Sequence, residues 1–184
     1  METKASFRLL AANEQPAFRS DRVAAFYRYW LELAKDGLPS RDAIDPGAML
    51  PLLPYVMLID LEDRSLETRQ NLAANADFRV RYRLVGTAVA KFSGLDFTNA
   101  YLDELDFDIC TTEDLMRAYR SIRDARRPGL GMALAQLEHD QVMDVEYLIC
   151  PLLVAGGIRQ CIAIEDYMPS RNYDQSTKLG RKAL

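Results

Sequence analysis

The stretch from Phe78 to Gly94, FRVRYRLVGTAVAKFSG, carries the clearest pattern of apolar and polar positions in the chain. Apolar side chains alternate with arginines from Phe78 to Leu84, which is the period of a β-strand with two unlike faces. Gly86 interrupts this pattern, Thr87 is suited to cap a short helix, and Gly94 is suited to end it in a left-handed conformation. We therefore predict a strand, a tight turn and a short helix, around which the rest of the chain is organised.

A second pattern lies upstream and has a helical period. Apolar residues recur at three- and four-residue steps between Ser20 and Gly37, which predicts an amphipathic helix of about four turns. Its apolar stripe includes Phe26, Trp30 and Leu33. Such a stripe has to be buried, either against the sheet of its own chain or against a second copy or another partner. We expect this helix to serve dimerisation or partner binding as well as packing.

The same two periods predict the elements that follow. Pro46 is suited to the first position of a short helical turn, and the continuous apolar run 55–61 is typical of a central strand covered on both faces. A longer helix is predicted to begin at Thr111 or Thr112 and to end before Pro128.

Three further strand candidates close the chain as a meander, at 131–138, 142–153 and 158–166. Ala155, Gly156 and Gly157 form a strong hairpin signal between the last two. We divide the chain into a lead-in segment, an N-terminal helix with a Pro-rich connector, a sheet domain and a polar tail: 1–19, 20–54, 55–168 and 169–184.

Composition narrows the class of protein. The chain has 184 residues, of which 49% are hydrophobic and 27% charged, as in soluble globular proteins. No apolar run approaches the ~20 residues that span a bilayer, and no secretion signal is recognisable at the start. The net charge of −4, without a long basic stretch, argues against a nucleic-acid surface. We expect a cytoplasmic protein that binds neither membranes nor nucleic acid.

Few residues offer catalytic or cofactor chemistry. Haem ligation would have to use His139, which lies in a predicted turn, and Cys110 is not in the setting of a flavin photosensor's reactive cysteine. Solvated loop charges are the better interpretation of the acidic residues around His139 than a metal site. Cys150 and Cys161 lie in apolar strands and suit a core. We expect no metal, no cofactor and no catalytic residue, although His139 with Asp140, or the acidic group 103–108, are the nearest acid-base candidates.

The order of elements is that of a PAS domain, and two segments add similarity at the level of motifs. YRYWLELAKDGLPSRDAIDPGAMLPLLPYVMLID and FRVRYRLVGTAVAKFSGLDFT resemble a bacterial family of small PAS-like proteins, in which a Pro-rich entry to the first strand precedes a strand of the type F-R-Y-R-L followed by Gly-Thr. The resemblance implies an α+β fold with a five-stranded antiparallel sheet, helices on one face and an N-terminal amphipathic helix. It carries over Arg83, Gly86 and Thr87 as motif positions, and the family commonly has a glycine where this chain has Asn99.

PAS-like sheets curve around a cavity roofed by helices. Five side chains are therefore candidates to line a ligand pocket: Tyr82, Leu84, Phe92, Met116 and Tyr119. They could equally fill an ordinary core. The arginines on the other face of the same strand could bind an anion or pair with acidic groups of the N-terminal helix.

The sequence thus predicts a sensory or regulatory protein that binds a small molecule, a protein partner or both, and signals as a homodimer through its N-terminal helix. Two alternatives are an interaction scaffold with a filled core and a small enzyme on a similar curved sheet.

Overall fold

The structure, a computed structural model, describes residues 5–63, 77–107, 111–136 and 142–170. They form an α+β fold around one antiparallel sheet of six strands in the order β1-β4-β5-β6-β2-β3. The strands are β1 Ala5–Leu9, β2 Val56–Asp63, β3 Phe78–Val85, β4 Gly129–Gln136, β5 Val142–Val154 and β6 Gly157–Pro169.

The fold class is as predicted, with six strands in place of five. The additional strand, β1, pairs with β4 from Ala5↔Ala133 to Leu9↔Gly129. Phe7 and Leu9 are half-buried on one side of it and alternate with more exposed residues, which is a strand period too short to stand out in the lead-in segment. At the other end of the meander, Ala155 and Gly156 both adopt positive φ angles of 50° and 79°, as a two-residue hairpin turn requires.

In the described ranges, three α-helices accompany the sheet: α1 Asp21–Leu33, α2 Thr87–Ser93 and α3 Thr112–Ala125. Short 3-10 segments lie at Arg41–Ala43, Pro46–Tyr55 and Leu102–Glu104. Within the described residues, no helix combines the length and the apolar character needed to cross a bilayer.

The predicted end of α2 is confirmed, but its predicted cap is wrong. Gly94 ends the helix with a φ of 70°, whereas the N-cap residue is Gly86 and Thr87 is the first helical residue, exposed to solvent. A Cβ atom at Gly86 would lie 2.3 Å from the carbonyl oxygen of Pro54. The glycine is required because the backbone before β2 approaches it so closely.

Helices cover the sheet on both faces. On the inner face, α2 and α3 share one core with β2 and β3, and α3 also contacts β1 and β5; on the outer face α1 packs over β5 and β6. Phe26 is fully buried against the outer face and Trp30 is 5% exposed; the Trp30 Nε1–H donates to the Pro151 carbonyl oxygen at 3.4 Å. Leu33 is half-buried. Phe26 and Trp30 thus follow the first alternative, packing on the sheet of their own chain, whereas a role of α1 in dimerisation or partner binding stays a prediction.

The predicted alternation of β3 fails at its end. Tyr82 lies opposite Ile59 and Leu84 lies opposite Leu58, so Arg83 is an extra residue in a β-bulge. A bulge reverses the alternation beyond it, and Leu84 is consequently turned to the outer face, 49% exposed, while Val85 is buried.

Candidate functional site

A cavity of about 180 Å³ lies between the inner face of the sheet and the segments that cover it. Seven of its seventeen lining side chains are aromatic. The lining consists of Met57, Tyr82, Phe92, Ser93, Phe97, Asp106, Phe107, Leu115, Tyr119, Ala133, Ala135, Val145, Tyr147, Ile149, Ala163, Glu165 and Tyr167.

Small side chains on the sheet create this space. Ala133 and Ala135 on β4, together with Ala163 on β6, face the cavity where larger residues would fill a normal core. Gly131 continues the row of small residues, and a Cβ atom there would lie 2.1 Å from the Tyr147 ring. The Tyr147 ring therefore lies flush against the backbone of β4.

Aromatic rings from several elements form the walls. The rings of Tyr82 and Phe97 meet edge to face with centroids 4.8 Å apart, and Phe97 meets Phe107 in the same way at 5.4 Å. On the opposite side, Phe92 of α2 stacks on Tyr167 of β6, with centroids 4.3 Å apart. The ring faces and edges give the cavity a rigid, largely apolar boundary.

One carboxylate interrupts this apolar surface. Glu165 of β6 accepts a hydrogen bond of 2.7 Å from the Tyr167 hydroxyl to its Oε2 atom. Burial raises the pKa of the Glu165 carboxyl, an effect that the Tyr167 hydrogen bond only partly offsets. Burial also raises the pKa of Tyr167, and the neighbouring Glu165 charge adds to that shift.

The hydroxyls of Tyr82 and Tyr119 are a further polar pair in the lining of the cavity. Burial raises the pKa of Tyr119 well above its ordinary value, and interaction with the Tyr82 hydroxyl raises it further. The Tyr119 phenol consequently remains neutral in the physiological range and can donate and accept hydrogen bonds. The cavity therefore combines an apolar wall with a few convergent polar groups, as ligand pockets do.

The charges on the lining are of one sign. Glu165 and the exposed Asp106 are acidic, and no lysine, arginine or histidine is among the described side chains that line the cavity. Within the described residues, Glu165 takes part in no salt bridge. The site is thus electrostatically suited to positive or neutral groups rather than to anions.

The structure brings together three of the five predicted pocket residues. Tyr82, Phe92 and Tyr119 line the cavity, whereas Met116 packs against the inner core beside it. Leu84 is excluded by the bulge in β3. Sequence reasoning missed Glu165, whose signal was an acidic residue at the inward register of β6, two positions after Ala163.

The arginine row of β3 pairs with acidic neighbours other than those of α1. Arg79 contacts Asp103 and Glu104 at 2.8 Å and 2.7 Å. Arg81 contacts Glu62. The motif arginine, Arg83, contacts Asp60 at 3.2 Å. The pairing with carboxylates weakens the case for an anion site here, since each guanidinium already has an acidic partner.

The remaining residues considered for cofactor, metal or acid-base chemistry are the cysteines and the residues around His139. Cys150 and Cys161 are buried free thiols, as expected of core residues, and burial raises the pKa of both. Across the described ranges, no group of three or more histidine, cysteine or acidic residues is arranged to hold a metal ion. Cys110, His139 and Asp140 lie outside the described residues.

A sequence model of the PAS domain family matches residues 18–162. No curated protein matches the chain. Among solved structures, an RNA-binding light-oxygen-voltage receptor is similar at 10% identity and a TM-score of 0.46, covering 91% of this chain and 39% of that receptor. The chain thus spans about two fifths of that receptor's length. A fungal LOV domain photoreceptor is similar at 14% identity and a TM-score of 0.41, covering 81% of this chain and 95% of the photoreceptor.

Proposed function

The chain belongs to the PAS domain family, and from that premise we propose that it is a sensory or regulatory protein that binds a small molecule in its inner cavity. The observation that carries the proposal is an aromatic-walled space of about 180 Å³ containing a half-buried carboxylate, Glu165. An apolar cavity of roughly 150 Å³ holds a molecule the size of benzene. The expected ligand is therefore about one ring in size.

We propose that the bound state reaches the protein surface through β5 and β6. Glu165 and Tyr167 face the cavity, and Asp166 between them holds the start of α1 from the outer face. A ligand that shifts this part of β6 also moves Asp166, and so changes how the start of α1 is held on the sheet. Association with a second copy or another protein then uses the solvent side of α1, since Phe26 and Trp30 are buried beneath it.

We further propose that the protein acts in the cytoplasm, which the composition typical of soluble proteins supports. A sensory role also requires no catalytic group, and the polar groups of the cavity suffice to orient a ligand.

Ligand-observed NMR with a library of single-ring compounds tests the cavity. Binding is expected for the wild type and for Ala25→Leu, a matched substitution on α1 across the sheet, and is expected to be lost in Ala163→Leu, which fills the cavity. Circular dichroism confirms that each variant is folded. Equal binding to the filled variant, or no binding to the wild type, would overturn the proposal.

A further inference from the structure

The charge and aromatic content of the cavity narrow the class of ligand. Its described lining contains two carboxylates and no basic side chain, together with seven aromatic rings. The faces of aromatic rings attract cations, and the half-buried Glu165 carboxylate, which has no basic partner among the described residues, lacks the counter-charge that normally accompanies such a group. A ligand that carries a positive charge would satisfy both features at once.

Building on the proposed function, we infer that the ligand is a small organic cation, with an ammonium group at Glu165 and a single ring or short hydrocarbon against the aromatic walls. Tyr167 occupies one side of the Glu165 carboxylate through its hydrogen bond to Oε2. The other carboxylate oxygen is available to accept from an ammonium group, while the stacked Phe92 and Tyr167 rings form the adjacent wall.

The geometry disfavours the other classes of ligand. An anionic ligand would bring a third negative charge next to Glu165 and Asp106 without a cation to compensate it. A purely apolar ligand would leave the Glu165 carboxylate as unpaired as before, and would gain nothing from its position. An ammonium group adds charge-assisted hydrogen bonds, which are about twice as strong as neutral ones.

The test uses matched probes that differ in charge and little in shape. Benzylamine is a cation at neutral pH, and benzyl alcohol is its uncharged counterpart. Titrated into the wild-type protein and followed by NMR, benzylamine is expected to bind about tenfold tighter or more. Equal affinities, both weakened by Ala163→Leu, would overturn the cation inference and leave the cavity function standing. Failure of both probes to bind would overturn both proposals.

The Glu165→Gln variant tests whether Glu165 is the residue that binds the positive charge of the ligand. Glu165→Gln keeps the shape of the side chain and removes its charge, so benzylamine affinity is expected to fall about tenfold while benzyl alcohol affinity changes less than about twofold. Glu113→Gln, at an exposed position of α3 outside the lining, is the control and is expected to change benzylamine affinity by about twofold or less. Unchanged benzylamine affinity in folded Glu165→Gln overturns the assignment. If that variant does not fold, the matched probes on the wild type decide.

Discussion

Two adjacent carboxylates on β6 face opposite sides of the sheet and have opposite surroundings. Asp166, on the outer face, accepts a hydrogen bond of 2.7 Å from the Ser20 hydroxyl and contacts Arg22 at 3.0 Å. Glu165, on the inner face, accepts one from the Tyr167 hydroxyl and has no basic partner in the described residues. The outer carboxylate stabilises the packing of α1 on the sheet. The inner carboxylate has no basic group of the described chain to compensate its charge, and a ligand could supply one.

The apolar side chains repeat this difference. The outer face carries Leu148, Ile162 and Ile164, which pack tightly under Phe26 and Trp30. The inner face carries alanines at the corresponding depth, and a cavity remains over them. One face of the sheet is therefore built to be closed by its own chain, and the other is built with room for a ligand.

The largest expected effect concerns the closed outer face. Trp30→Ala removes a buried ring and its hydrogen bond to Pro151, so we expect the free energy of unfolding in urea to fall by about 3–5 kcal/mol. Leu33→Ala, at a half-buried position of the same helix, is the control and should cost about 1 kcal/mol. A small loss for Trp30→Ala, accompanied by weaker self-association in sedimentation, would show instead that α1 is primarily a partner surface.

The second effect concerns the outer carboxylates. Glu146 is 2% exposed and accepts backbone N–H groups of Arg19 and Ser20 at 3.0 Å and 2.7 Å. Glu146→Ala leaves these donors without their partner, so the free energy of unfolding should fall by about 2–3 kcal/mol. Glu32→Ala on the exposed face of α1 should change it by less than about 0.5 kcal/mol. Comparable values for the two variants would show that the hydrogen bonds from Arg19 and Ser20 to Glu146 do not stabilise the fold.

The third effect is an increase in stability rather than a loss, and it concerns Glu165. Burial raises the pKa of Glu165 in the folded protein, so ionisation of this group destabilises the fold. The full free energy of unfolding is therefore present below the ordinary glutamate pKa, and part of it is lost as pH rises through the raised value. Glu165→Gln should therefore unfold at a higher temperature than the wild type at about pH 8, and the difference should shrink towards about pH 4. The groups that face Glu165 do not produce the same pH dependence: Tyr119 and Tyr167, whose pKa values burial raises, stay protonated over this range, and Tyr147 and Asp106 are common to both proteins.

A difference between Glu165→Gln and wild type that stays constant with pH would contradict this prediction. It would mean that the Glu165 charge is already compensated in the free protein, which would remove the contrast with Asp166.

The smallest effect is expected on the outer edge of the sheet. Arg83 contacts Asp60, but its side chain is 56% exposed, and exposed pairs contribute about 0–1 kcal/mol. Arg83→Ala should change the unfolding free energy in urea by less than about 0.5 kcal/mol. A loss above about 2 kcal/mol would show that the motif arginine is structural.

Long regular patterns were readable from the sequence. The period of α1, the continuous run of β2 and the hairpin between β5 and β6 each predicted the element that the structure contains, because many residues in sequence contribute to each pattern. Asn99, where the family that the sequence resembles commonly has a glycine, adopts a φ of 68°, a left-handed conformation that glycine favours and asparagine tolerates.

Features set by a single residue were not readable. The bulge at Arg83 depends on pairing with β2, and no local pattern marks it, so Leu84 was placed on the wrong face. The cavity depends on small side chains contributed by β4 and β6, which are distant in sequence. The surface that covers α1 is not readable for the same reason. An amphipathic stripe indicates that one face of a helix is buried, but not whether its own sheet or another chain buries it.

Native mass spectrometry of the purified protein, followed by denaturing mass spectrometry of what is released, tests the contrast between the two faces most directly. We predict a stoichiometric small molecule about one ring in size, positively charged, which Ala163→Leu does not retain and Ala25→Leu does. A wild-type chain that carries no small molecule would contradict the claim that the inner face is built to hold one.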